Sequence, residues 1–229
     1  MELVANGMDW AKHRRRKAAA KTHRRLNLQS LLPNFVIVDT AGEHDNQRAR
    51  ELCAGVQCGE TVLLDKGCVA FRHLQGLDAR GVSWVTRAKD NMACEVVSKM
   101  PAAKDARILK DEIIRRSNPD KPAPELMRRA VALVEVGGQE REMTFLTNHL
   151  KWSPRRVADL YRCRWQIEVF FKQIKQTLQL GDFLGHNASA VRWQIWMALL
   201  VCVLLRYLSY LSKGSITQFF FCKMFEHIN

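Results

Sequence analysis

Three short, β-branched apolar runs, set apart by segments of helix length, constrain this chain more than any other feature in it. Residues 34–40 (NFVIVDT) follow Pro33 and end at a Thr40–Gly42 turn; residues 61–65 (TVLLD) and 82–87 (VSWVTR) repeat the pattern. Continuous apolar runs of this length, bounded by turn residues, predict buried strands. Between them, residues 44–56 place Leu52 and Val56 four apart and run toward Gly59, and residues 69–79 keep helical spacing. Each segment predicts a helix. Strands alternating with helices predict an α/β sheet.

The pattern changes after residue 90. Residues 91–148 carry polar stretches, prolines at 101, 119, 122 and 124, and a hairpin signal in which residues 130–136 and 142–146 flank Gly137–Gly138. Two glycines between strand-like runs supply the backbone freedom a tight hairpin turn requires. This region reads as a β-rich insertion. Ser153 then offers an N-cap and Pro154 a first helical residue. A long helix is expected from there to about Leu180, stopped by Gly181, and another over residues 188–211. The apolar stretch 196–205, bracketed by Arg192 and Arg206, is too short to span a bilayer and reads as a buried helix.

Charge narrows the function. The chain of 229 residues has 36 Lys and Arg against 23 Asp and Glu, a net charge of +13. Residues 1–30 carry Lys12, Arg14, Arg15, Arg16, Lys17, Lys21, Arg24 and Arg25 against Glu2 and Asp9. Residues 151–206 carry a second basic cluster, and the rest of the chain is near neutral. A basic surface is often merely solvated. Two separate clusters point instead to a polyanion, whose condensed counterions are released on binding. Arg14, Arg15, Arg16 and Lys21 are candidate nucleic-acid contacts on this ground. The cysteines number seven, an odd count without a C-x-x-C pair. That argues against a disulfide framework or zinc site and for a reducing cytoplasm. The basic N-terminus has no apolar core and is not read as a signal peptide. A membrane role finds no support.

The chemistry-bearing stretch is YRCRWQIEVFFKQIK, residues 161–175. At about 100° per residue, Tyr161, Arg164, Glu168 and Lys175 fall within an arc of about 60°. Leu160, Ile167, Phe170, Phe171, Ile174 and Leu178 cluster beside that arc. One face would pack on a sheet while its edge presents an acid, two cations and a phenol. The plain alternative is an amphipathic helix with an i, i+4 Arg164–Glu168 pair. For Asp65, the plain alternative is a strand-end carboxylate capping the next turn. Trp152, Trp165, Trp193 and Trp196 are of a type that stacks on a flipped base, but core packing is the default reading for most of them.

The spacing of Tyr161, Arg164, Glu168 and Lys175 resembles the tyrosine–arginine–glutamate–lysine signature of a large branch of bacterial DDE-type insertion-sequence transposases. TVLLDKG resembles the strand bearing that family's second catalytic aspartate, VSWVTRAKDN the strand after it, and FLTNHL the end of its β insertion. The resemblance runs from about residue 3 to 210. It implies an RNase H-like α/β fold, a mixed sheet with flanking helices interrupted by a β-rich insertion. Residues 1–90 would form the N-terminal part of the core, 91–150 the insertion, 151–213 the closing helices and 214–229 a tail. Asp65 and Glu168 would be catalytic carboxylates and ligands of Mg2+, with Mn2+ as substitute. Tyr161, Arg164 and Lys175 would hold phosphates, helped by Lys66 and Arg87. The implied partners are double-stranded DNA, as transposon ends and target, and a second copy of the chain on that DNA. The implied setting is the bacterial cytoplasm, at the nucleoid.

The sequence also departs from the family pattern. The strand carrying the first catalytic aspartate would lie before Met1. Asp39 is a possible stand-in, although it matches a later strand of the family. Cys68 stands where the family has a tyrosine, and residues 214–229 no longer resemble it. His44 and Asp45 match a recurrent family pair, to which a turn or cap role is assigned. These departures lead to the expectation of an N-terminally truncated chain with a defective metal site. Two other functions compete with transposition: a DNA-binding remnant without catalysis, and an RNase H-like nuclease.

Overall fold

A computed structural model of the chain describes residues 2–5, 18–28, 30, 32–40, 45–68, 70–89, 92–101, 105–117, 123–136, 138–164 and 188–211. In chain order the elements are β1 (Glu2–Ala5), β2 (Ala18–Leu26), β3 (Pro33–Thr40), α1 (Asp45–Leu52), β4 (Thr61–Leu64), α2 (Phe71–Ala79), β5 (Ser83–Arg87), β6 (Cys94–Lys99), β7 (Ile108–Arg116), β8 (Met127–Val136) and β9 (Gln139–Thr147). A helix α3 follows over residues 154–164, and then α4 (Ala188–Leu211). The mixed α/β class is as expected. The chain divides into two compact units, Asp45–Gln166 and the two flanking segments Met1–His44 with Ile167–Asn229.

The unit spanning Asp45–Gln166 is built on a six-stranded sheet of order β4-β5-β9-β8-β7-β6. Only β4 and β5 are parallel, with α2 between them in sequence; the other pairs are antiparallel. Strands β6–β9 therefore continue the sheet that β4 and β5 begin. Alternating side chains feed two cores, as a period of two requires. Trp84, Leu146 and Met127 pack with Leu74 and Leu77 of α2 on one face. Val85, Phe145 and Ala132 pack with Val157, Ala158 and Tyr161 of α3 on the other.

Several local expectations hold, and others shift for identifiable reasons. The expected β8–β9 hairpin is present and closes with Val136 opposite Gln139. Gly138 takes φ 76°, which favours glycine. Helix α1 stops at Leu52 rather than Val56, because the chain turns through Cys53–Gly55. There the Arg80 guanidinium donates to the carbonyls of Cys53, Ala54 and Val56, satisfying groups a helix end leaves open. Strand β4 ends at Leu64, is an edge strand, and fully buries only that residue.

The other unit contains β1–β3 and α4. The strands form a separate antiparallel sheet of order β1-β2-β3. The predicted strand over residues 34–40 is present as β3, but as an edge strand with Phe35 40% exposed, not a buried one. β-Branching reports strand propensity; it does not report how many faces are covered. Helix α4 matches its expected span but not its expected burial. Val191, Ile195, Ala198 and Leu199 are buried, whereas Leu200, Leu204 and Leu208 on the opposite side are about half exposed. Trp193 and Trp196 are exposed as well, which corrects the reading of them as core residues. No helix among the described residues is long and apolar enough to cross a membrane.

Candidate active site

The parallel pairing of β4 and β5 fixes the site. Leu64 lies opposite Thr86, so the next residue of each strand, Asp65 and Arg87, emerges at the same end of the sheet. Carboxyl ends of parallel strands are where open α/β sheets bind ligands. Apolar residues drive β4 up to Leu64, and the carboxylate then begins a turn. The Lys66 backbone N–H donates to Asp65 Oδ1 at 2.7 Å, and a single 3-10 turn runs over Lys66–Cys68. The turn-capping role considered for Asp65 is therefore real. It engages one oxygen only.

Helix α3 brings the other groups. Ser153 caps it as expected, accepting the Arg156 N–H on Oγ at 3.2 Å, and the first helical residue is Pro154. The cap and the packing of Val157 and Ala158 against the sheet orient the next turn inward. The Tyr161 ring lies 5.1 Å from the Phe145 ring, and Phe145 pairs with Arg87 across β5–β9. From there the Tyr161 hydroxyl reaches Asp65 Oδ1 at 3.5 Å, a long contact. Arg164 places Nη1 3.6 Å from the same oxygen, with its guanidinium carbon 5.2 Å from the centre of the Tyr161 ring. Tyr161 is 6% exposed and belongs to the core, whereas the helical wheel places it on an edge stripe. Burial pushes its phenol up to about 12, and Asp65 adds to this against the opposing charges of Arg164 and Arg87. It is thus a neutral donor at ordinary pH.

All three contacts to Asp65 among the described residues fall on Oδ1, and its side chain is 51% exposed. Oδ2 meets no partner among the described residues. A half-exposed carboxylate oxygen at a strand end suits a hard cation such as Mg2+, which keeps several waters and takes one or two carboxylates. Asp65 fits as one ligand of such an ion. The described residues hold no group of three or more His, Cys, Asp or Glu able to bind a metal by themselves.

The remaining sequence-predicted residues divide in two. Glu168, Lys175, Arg14, Arg15, Arg16, Trp165 and His44 lie outside the described residues. Lys21 and Asp39 are backbone register partners of β2 and β3, in the unit that does not contain Asp65. Trp152 stacks on His149, ring centres 4.1 Å apart.

Two supports of the site escaped sequence reasoning. Asn148 accepts the Trp84 backbone N–H on Oδ1 at 2.9 Å and donates from Nδ2 to Asp78 Oδ1 and to the Val82 carbonyl. It ties the start of β5 to the end of α2. Arg128, 5% exposed, donates to both oxygens of Asp111 and to the Leu150 carbonyl, four residues before α3 begins. Neither carries a local sequence signal: Asn148 sits between Thr147 and His149, and Arg128 beside Arg129.

Comparison with known proteins gives the family. Residues 5–204 match the family model described as Transposase DDE domain. The chain is 31% identical over 209 residues to a Sinorhizobium fredii protein named as a transposase, y4zB, covering 89% of this chain and 57% of that protein. It is 24% identical over 204 residues to a Geobacillus stearothermophilus protein named as the transposase for insertion sequence element IS5377, covering 89% and 53%. It is 23% identical over 186 residues to the transposase InsG for insertion sequence element IS4 of Escherichia coli, covering 80% and 42%. The chain thus spans about half the length of the curated relatives it matches. With a strand-end carboxylate met by a phenol and a guanidinium, and most of its length matched by one family model, the chain belongs to the DDE transposase domain family.

Proposed function

We propose that this chain is the catalytic domain of a DNA transposase, cleaving and joining phosphodiester bonds at transposon ends. The observation that carries the reading is the convergence of Tyr161 and Arg164 from α3 on Asp65 at the end of β4. Asp65, the family's second catalytic carboxylate, and Glu168, its third, would hold Mg2+ or Mn2+. Such ions activate the attacking oxygen and stabilise the leaving one in an in-line displacement at phosphorus. The RNase H-like arrangement that the resemblance implies, with residues 91–150 as an insertion, is the architecture in which we place this site.

The chain's own groups do the rest. Arg164 and Arg87 offer guanidinium donors that suit phosphate oxygens. Tyr161, held neutral, donates a hydrogen bond without competing as a base. Lys66 begins the turn after Asp65, and Lys175 would extend the phosphate grip along the helix. Duplex DNA is the proposed partner, engaged by two copies of the chain.

The test is cleavage of DNA carrying the element's own ends against random DNA of equal length, with Mg2+ or Mn2+. Transposase action predicts metal-dependent cutting confined to the ends and its loss in Asp65→Asn. Equal cutting of both DNAs would make the chain a general nuclease. Binding without any cutting would leave a DNA-binding protein.

A further inference from the structure

We propose that Arg164 is a resident counter-cation on Asp65, which a divalent ion must displace, so that metal binding hands the guanidinium over to DNA phosphate. The inference rests on the reading of Asp65 as a metal ligand and concerns how that site is regulated.

The asymmetry of the carboxylate is the starting point. Oδ1 is engaged by the Lys66 N–H, the Tyr161 hydroxyl and Arg164, while Oδ2 faces no partner among the described residues. Of these three, the backbone N–H is fixed by the turn and the phenol by its packing on Phe145. Arg164 alone carries a full charge, and at 3.6 Å it is an ion pair without close hydrogen-bond geometry. Its side chain is 16% exposed, against 51% for Asp65. The cation thus approaches from the protein side and leaves the solvent side of the carboxylate open. An arriving divalent ion would place like charge against the guanidinium. Its repulsion weakens the ion pair as the metal bond forms. A phosphate that accepts the released guanidinium removes that penalty, so metal and DNA favour each other's binding. By linkage, each must raise the other's affinity by the same factor.

The experiment titrates Mn2+ into the whole chain without DNA, read by calorimetry or by the Mn2+ resonance signal. Arg164→Met, which keeps the stem and deletes the charge, is expected to bind Mn2+ about tenfold more tightly than wild type, within the usual range of coupling between sites. Arg164→Gln gives a second reading if the first variant folds poorly. Arg87→Met separates a contact from a general field: Arg87 also bears on Tyr161 electrostatically but is not among the groups that meet Asp65. It should raise Mn2+ affinity far less. With a short duplex present, wild type should gain Mn2+ affinity, and Arg164→Met should gain less. Unchanged or weaker Mn2+ binding in both Arg164 variants overturns the proposal, as does an equal gain in Arg87→Met. Asp65→Asn is the control for the underlying reading. If it leaves Mn2+ binding intact, Asp65 is no ligand and both claims fall together; if it abolishes binding while the Arg164 variants behave as wild type, only the counter-cation fails.

Discussion

At Tyr161, ring packing and hydroxyl chemistry make separate demands on one side chain, and Tyr161→Phe separates them. The variant keeps the contact with Phe145, so its stability near pH 7 should stay within about 1 kcal/mol of wild type, the usual worth of a neutral hydrogen bond. DNA cleavage should fall. A loss of stability without a loss of cleavage would assign the hydroxyl to folding alone. The raised phenol also has a sign. Between 10.0 and about 12 the unfolded chain releases the Tyr161 proton while the folded chain keeps it. The contribution is therefore intact below pH 10 and disappears as pH rises through 12, by up to about 3 kcal/mol. Denaturant melts at pH 9, 10 and 11 should show the decline, flattened in Tyr161→Phe. His73 has the opposite acid-side behaviour. Burial, then Arg50 and Arg80, lower it below its ordinary 6.5, so the folded chain holds it neutral. Its contribution is complete above pH 6.5 and is lost as pH falls toward the lowered value. His73→Leu should reduce that part of the acid sensitivity, and an unchanged acid limb would show that other groups set it.

Among the elements, the start of α3 depends on a charge pair buried in the sheet. Arg128 and Asp111 are each 6% exposed at their side chains, and they sit diagonally across β7 and β8. Removing either partner strands the other charge, at a cost of about 3–5 kcal/mol. Replacing both, as Arg128→Met with Asp111→Leu, should cost far less than the two single changes together. A double-mutant cycle from urea melts measures the difference, and additive losses would mean that the pair is uncoupled. This is also where legibility ran out. The hairpin was readable because Gly137–Gly138 has few other uses between strands, and α3 because Ser153 and Pro154 announce its start. The Arg128–Asp111 pair was not, because it depends on the register of two strands that no local pattern encodes. Tyr161 was singled out by its spacing and Asp65 by the resemblance of its strand, but the oxygen each contact would use, and the burial of Tyr161, follow from the pairing of β5 with β9. The run over residues 34–40 shows the same limit: its strand was legible, its placement in a separate three-stranded sheet was not.

For the whole molecule, the distribution of charge makes a quantitative demand. Most of the +13 resides in residues 1–30 and 151–206, and a polyanion held by such clusters must release counterions in proportion to the phosphates neutralised. If Arg14, Arg15 and Arg16 each neutralise one phosphate, changing all three to alanine should flatten the slope of log affinity against log salt by about 2.7 on duplex DNA. The sequence of the duplex should make no difference to that change, since phosphate contacts position a protein without reading bases. Lys99→Ala with Lys110→Ala is the control, two charges removed against three. Those two lysines stand exposed on β6 and β7, outside both clusters, and removing them alters net charge without removing a predicted contact. Filter binding or anisotropy from 50 to 300 mM salt (about a sixfold range, enough to fix a slope) distinguishes the outcomes. A slope unchanged in the triple variant assigns the arginine run to solvent. Equal flattening per charge removed in both variants means that net charge, and not its clustering, governs the encounter with DNA. A flattening confined to the triple variant would place the run on the duplex, without requiring that Asp65 carry out any chemistry there.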